Sequence, residues 1–142
     1  MLATRHPEGV LSVTIYEAKD LKDQDMIGKN DPFIELWVDE NHKQRTSEAK
    51  NTNNPVYNET FAFTVRQGVK HKLYLKVKDK DILGTDKIGE AKIDLQDVFN
   101  GSVFDDWINL PAMLGLSSHG KVHLRVEFVP TEELPTTTTT KA

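Results

Sequence analysis

Apolar and polar residues alternate with a period of two through most of this chain, and that habit limits it to strands buried on one face. The clearest run lies near the end, where Val122, Leu124, Val126 and Phe128 alternate with Lys121, His123, Arg125 and Glu127. Near the start, Leu11, Val13 and Ile15 alternate with Ser12, Thr14 and Tyr16. Between them lie Ile34/Leu36/Val38, Phe61/Phe63/Val65, Leu73/Leu75/Val77 and Ile88 through Ile93. Short runs at Lys43 to Ser47 and Trp107 to Leu110 bring the expected count to about eight strands. Leu95 to Phe99 alone reads as a brief helical turn. Gly-, Asp- and Asn-rich links punctuate the runs, so the chain is predicted to be all-β, an eight-stranded antiparallel β-sandwich. Its 142 residues suit one domain, predicted over residues 9–130. Residues 1–8 read as an N-terminal extension, and 131–142 as a Pro/Thr-rich disordered tail.

Composition removes several function classes. There is no cysteine, so disulfide scaffolds, thiolate zinc sites and thiol nucleophiles are excluded. No apolar run approaches the ~18 residues of a membrane span, and Met1 to Pro7 lacks the apolar stretch of a secretory signal. A cytoplasmic setting is therefore expected. The net charge of -4 carries no basic field for nucleic acid, so attraction to an anionic surface must be local or brought by a bound cation.

The acidic residues are concentrated. Asp23, Asp25 and Asp31 fall in one connector, and Asp79, Asp81 and Asp86 in another. In a sandwich, alternate connectors emerge at one end, so the two sets can face each other. Hard divalent cations take several oxygen ligands at about 2.3–2.6 Å, which clustered carboxylates supply. Without a cation, two such charges about 4 Å apart repel by roughly 4 kcal/mol at an effective dielectric near 20. The ordinary alternative is that each is a turn aspartate, favoured in loops for backbone reasons. Asp79 to Gly84 with Glu90 in twelfth place half matches an EF-hand loop. Leu83 stands at its fifth position and strand patterns flank it where helices are required, so that reading is rejected.

Taken in order, these residues resemble a C2 domain, the calcium- and lipid-binding sandwich of synaptotagmin and protein kinase C. The likeness runs from about Val10 to Pro130. It is carried by Ala18-Lys19-Asp20-Leu21, Asp25 with Gly28, Asn30-Asp31-Pro32-Phe33, Asn54-Pro55-Val56-Tyr57-Asn58-Glu59 with Phe61 and Phe63, and Val77-Lys78-Asp79-Lys80-Asp81 leading to Ile88-Gly89. The order of the pieces resembles the circularly permuted (type II) form found in phospholipase C and many plant C2 domains. The resemblance implies calcium ligands at Asp25, Asp31, Asp79, Asp81 and Asp86, with the backbone carbonyls of Met26 and Lys80. Asp86 follows Asp81 by five residues rather than the family's six, and Gly84 stands where some members carry serine. The resemblance thus implies two calcium ions and leaves a third in doubt; Asp23 falls outside the ligand set.

Beside the carboxylates sit Met26, Ile27, Ile82 and Leu83, apolar residues at turn tips that are normally polar. Some, Ile27 and Ile82 first, can fold back on the core; Met26 and Leu83 hold the positions that enter bilayers in membrane-inserting relatives. The implied partner is an anionic phospholipid membrane, with peripheral attachment when calcium rises. Lys43, Arg45, Lys76 and Lys78 are candidates for a basic strip touching anionic lipid, although family members that read phosphoinositides usually carry lysine where this chain has Glu35 and Ser47. The rival reading is a calcium-independent protein-interaction module using an exposed aromatic face at Phe33 and Trp37. An enzyme is not expected: His6, His42, His71, His119 and His123 are scattered, with no nucleophile elbow or phosphate loop.

Overall fold

The computed structural model describes residues 8–22, 29–81, 84–111 and 118–133. Among the described residues there are eight strands: β1 (Gly9–Lys19), β2 (Pro32–Trp37), β3 (Gln44–Arg45), β4 (Val56–Val65), β5 (Lys72–Asp81), β6 (Gly84–Asp94), β7 (Phe104–Asn109) and β8 (Lys121–Pro130). They form two four-stranded sheets in the orders β4-β1-β8-β7 and β3-β2-β5-β6, and every pairing is antiparallel. The fold class is the β-sandwich that the alternation predicts. A single helical turn, α1 (Gln96–Phe99), occupies the predicted place, with the Phe99 N–H donating to the Leu95 carbonyl at 2.8 Å.

The cleanest alternation belongs to the central strands, because only they are flanked by pairing on both edges and by core on one face. Leu11, Val13 and Ile15 of β1 and Val122, Leu124 and Val126 of β8 are buried with Ile34 and Leu36 of β2 and Leu73, Leu75 and Val77 of β5. Each such side chain contributes about 1.5–3 kcal/mol on burial, most of it offset by the entropy of ordering the chain.

Two departures from the simple pattern shape the functional end. A bulge in β1 between Ile15 and Glu17 shifts the inward set to Ala18, which leaves Lys19 outside, opposite Lys121. In the second sheet, Asp79, Asp81 and Asp86, read above as connector residues, stand on strands. The ladder continues through Lys78↔Lys87, Asp79↔Asp86, Lys80↔Thr85 and Asp81↔Gly84, so β5 and β6 pair up to their last residues. Strand limits also differ at the edges: β3 holds only Gln44–Arg45, and β7 begins at Phe104.

Gly9 pairs with Pro130 at one pole, while Lys19 pairs with Lys121 at the other. Beyond Pro130, Thr131–Glu133 adds a 3-10 turn whose Thr131 N–H donates to the Glu8 carbonyl at 2.8 Å.

Candidate metal centre

Asp79 continues the inward series Leu73, Leu75, Val77, which explains why a carboxylate is only 1% exposed. Asp81 follows two places on along the same strand, and Asp86 lies directly opposite Asp79 across the ladder. One oxygen from each of the three lies within 4.8 Å of the others. Two oxygens sharing an ion at about 2.3–2.6 Å are at most about 5 Å apart, so the cluster has the span of one hard cation. Like charges facing one another across a ladder are destabilising. Lys80, between Asp79 and Asp81, turns its ammonium toward Glu48 at 3.9 Å, while Lys78 pairs with Glu35 and Lys87 with Glu90. Donor type, spacing and charge all fit a divalent cation such as calcium.

Asp31 is brought to the same place. Its N–H donates to Asp79 Oδ1 at 2.8 Å, and its carbonyl accepts from the Lys80 N–H at 3.1 Å. The two acidic segments therefore meet at one pole. The Asp31 carboxylate itself accepts from the Asn51 N–H at 2.6 Å and is not one of the three that lie within 4.8 Å of one another, so Asp31 joins the pole through its backbone. Asp23, Asp25, Met26 and Ile27, with Ile82 and Leu83, lie outside the described residues.

The asparagines that hold this pole were missed as functional residues. Asn53 Oδ1 accepts from both the N–H and the side-chain amide of Asn30, at 3.2 and 2.8 Å. The Asn30 amide also donates to the Lys22 carbonyl at 2.8 Å. Asn54 Oδ1 takes the Asp20 N–H and Asn51 Oδ1 takes the Lys29 N–H, each at 3.0 Å. Segment 51–54 thus acts as a template on which both ends of the first acidic loop are fastened. The signals in the sequence are the run Asn51-Thr52-Asn53-Asn54, short side chains suited to bonding nearby backbone, and the places of Asn30 and Asn54 in the pieces that carry the resemblance.

Tyr57 secures the strand beneath. Its hydroxyl donates to the Pro32 carbonyl at 2.6 Å, and burial pushes its pKa well above the usual 10.0. Tyr57→Phe should cost about 1 kcal/mol in urea unfolding at pH 8, since the Ala49 N–H still serves Pro32 at 3.0 Å. A raised folded pKa gives stability that is present below the unfolded value and lost as pH rises past it. The parent should therefore lose its advantage over the variant above about pH 10, and a constant difference up to about pH 11 would refute this account.

The basic candidates share the outer face of the β3-β2-β5-β6 sheet but divide into two sets. Arg45 pairs with Glu48 at 3.0 Å and Lys78 with Glu35 at 3.2 Å. Lys43 and Lys76 instead lie 4.3 and 5.9 Å from the Trp37 ring. The exposed aromatic face expected at Phe33 and Trp37 is not present as such. Phe33 is 3% exposed because the Arg45 guanidinium covers it, 3.9 Å from the ring centre, while Trp37 stacks on Tyr74 at 5.6 Å.

A two-sheet sandwich with carboxylates gathered at one pole defines a class, and the comparisons give its name. The chain belongs to the C2 domain family, whose model matches residues 9–110. It is 35% identical over 122 residues to Synaptotagmin-5 of Arabidopsis thaliana, covering 85% of this chain and 21% of that protein. It is also 35% identical over 130 residues to 16 kDa phloem protein 2 of the same plant, covering 89% of this chain and 85% of that one. The chain spans 21%, 23% and 25% of the first three curated relatives it matches. Among solved structures it resembles a C2 domain of plant Extended Synaptotagmin 1, with 26% identity, TM-score 0.72, and coverage of 89% of this chain and 98% of that one. It likewise resembles the paired C2 domains of Extended-Synaptotagmin 2, solved calcium-bound, with 30% identity, TM-score 0.74 and coverage of 87% and 46%. No helix among the described residues is long and apolar enough to cross a membrane.

Proposed function

We propose that this chain binds calcium at the acidic pole and, once loaded, docks on anionic phospholipid membranes as a non-enzymatic targeting module. The observation that carries the reading is the convergence of Asp79, Asp81 and Asp86 within 4.8 Å, with Asp31 fastened to Asp79 by its backbone. In this reading Asp25 joins them from the first loop, the Met26 and Lys80 carbonyls complete the shell, and two ions are held. Calcium supplies positive charge and coordination positions open to lipid oxygens. Two ions would take the formal chain charge from -4 to 0, since they bring four positive charges.

The chain's own residues do the rest. The carboxylates hold the pole negative and repel headgroups until they are neutralised. Met26 and Leu83, with Ile27 and Ile82, then enter the interface, each contributing up to about 1.5–3 kcal/mol if fully buried. Lys43 and Lys76 add a secondary contact to anionic lipid, while Arg45 and Lys78 contribute less because carboxylates already engage them. Calcium and membrane then bind with reciprocal linkage, each raising affinity for the other. The expected setting is the cytoplasmic face of a membrane, reached when calcium rises.

Sedimentation with phosphatidylserine-containing vesicles tests this directly. Recovery should be high with calcium and at least tenfold lower with chelator; equal recovery in both would remove the switch.

A further inference from the structure

The sheet that carries no ligand carboxylate bears a cluster of its own. On the outer face of β4-β1-β8-β7, three rings form a row across three strands. Tyr16 lies 4.7 Å from His123, and His123 stacks on Trp107 at 5.2 Å and 26°. Two ammonium groups flank the indole, Lys121 at 5.0 Å and Lys19 at 5.4 Å. These lysines are register partners, a like-charged pair of the kind that costs stability in a sheet. Among the described residues neither Lys19 nor Lys121 has a carboxylate within 4.0 Å, as is also true of Lys22, Lys29, Lys43, Lys70, Lys76 and Lys92; what marks this pair is that the two are register partners beside one indole. Of the nearby carboxylates, Asp105 is engaged by His123 Nε2 at 2.8 Å, and Glu17, the register partner of His123, lies within 4.0 Å of neither lysine.

Two uncompensated ammonium groups on an indole form an anion receptor, because the ring tolerates the cations and leaves their charge unmet. The position selects the anion. Lys19 ends β1 and Lys121 begins β8, so both stand at the pole where Asp31 meets Asp79. The Lys22 N–H, donating to the His119 carbonyl at 3.1 Å, ties the root of the acidic loop to the chain entering β8. Any bilayer reached by that pole passes beside this face. Lysines whose stems lie along an aromatic ring, with the indole at headgroup depth, suit the water–lipid boundary.

We propose that Lys19, Lys121 and Trp107 form a second membrane contact, one that binds the phosphate headgroups of anionic lipids without calcium and orients the domain with its β7 edge toward the bilayer. It lies on the sheet opposite Lys43 and Lys76. Its choice of anion rests on the membrane reading above, but its binding does not rest on calcium, since the lysines need no ion.

The test uses the full chain with vesicles of phosphatidylcholine containing about 30% phosphatidylserine, in calcium and in chelator. The double variant Lys19→Gln/Lys121→Gln should lower vesicle affinity about tenfold or more in both arms, because each lysine near an anionic surface contributes appreciably. Its calcium affinity measured without vesicles should equal the parent's. In a Trp37→Phe background Trp107 is the sole indole, and its emission should shift to the blue with anionic vesicles but not with neutral ones. A double variant that binds vesicles like the parent overturns the proposal, and so does an equal emission shift with neutral vesicles. Parent binding that ignores calcium while the double variant weakens it would support this contact and overturn the calcium switch. Binding that needs calcium and ignores both lysines would do the reverse.

Discussion

Asp79→Asn should abolish calcium binding, by at least a hundredfold in affinity, while leaving the calcium-free protein as stable as the parent or more so. The two halves of this expectation come from the two oxygens of one side chain. Asp79 Oδ1 accepts the Asp31 N–H at 2.8 Å, and an asparagine oxygen can keep that bond. What the substitution removes is a negative charge from a cluster whose oxygens lie within 4.8 Å. In the absence of a cation that charge faces Asp86 across the ladder. Its loss relieves repulsion of up to about 4 kcal/mol at ~4 Å and an effective dielectric near 20. With a cation, the same charge is a ligand. Asp79→Ala should differ: the Asp31 N–H loses its acceptor, and calcium-free stability should fall by about 1–3 kcal/mol. Calorimetric titration and melts in chelator separate the cases. In the parent, calcium at about 100 times its dissociation constant should add about 2.7 kcal/mol, a gain the asparagine variant should lack. An asparagine variant that titrates like the parent would end the assignment of this cluster.

The fold was legible because its central strands have one wet face and one dry face. Leu73, Leu75 and Val77 announce their orientation by alternation alone. The same parity, carried two residues further, turns Asp79 inward. Turn chemistry assigned it to a connector because aspartate is common in loops, whereas ladder pairing with Asp86 holds it in the strand. Bulges were not legible, since a shift of one residue in β1 leaves no mark but the change from Ile15 to Ala18 as the inward residue. Phe33 reads as exposed by parity. It is covered by Arg45, a neighbour across the sheet that spacing along one strand does not reveal. The asparagine template was visible as composition but not as function: Asn51 adopts a φ of 50°, and which backbone N–H each amide receives depends on the path of a loop distant in sequence.

Gly120→Ala should be among the most destabilising single changes at the functional pole, by about 3 kcal/mol, combining backbone strain with overpacking. Gly120 has a φ of 125°, a region that residues with a Cβ rarely enter. A Cβ there would lie 2.8 Å from Leu21 Cδ2, and 3.0 Å from both the Asp20 carbonyl oxygen and Leu21 Cα. The leucine tip can turn aside, but the backbone atoms cannot easily. Gly120 cannot retreat either, because its carbonyl accepts from the Leu110 N–H at 2.8 Å and from Ser118 Oγ at 2.7 Å. The displaced segment is the root of the first acidic loop, held by the Leu21 N–H to Asn53 at 3.1 Å and the Asp20 N–H to Asn54 at 3.0 Å. The cost should therefore appear twice, as a lower midpoint in urea and as weaker calcium binding even where the variant is fully folded. Gly68→Ala is the control. Its φ of 91° carries comparable backbone strain, but nothing lies within 4 Å of the added carbon and the site is at the opposite pole. It should lower stability less and leave calcium affinity unchanged. If both substitutions weaken calcium binding equally, the acidic loop is not anchored through the Gly120 contact.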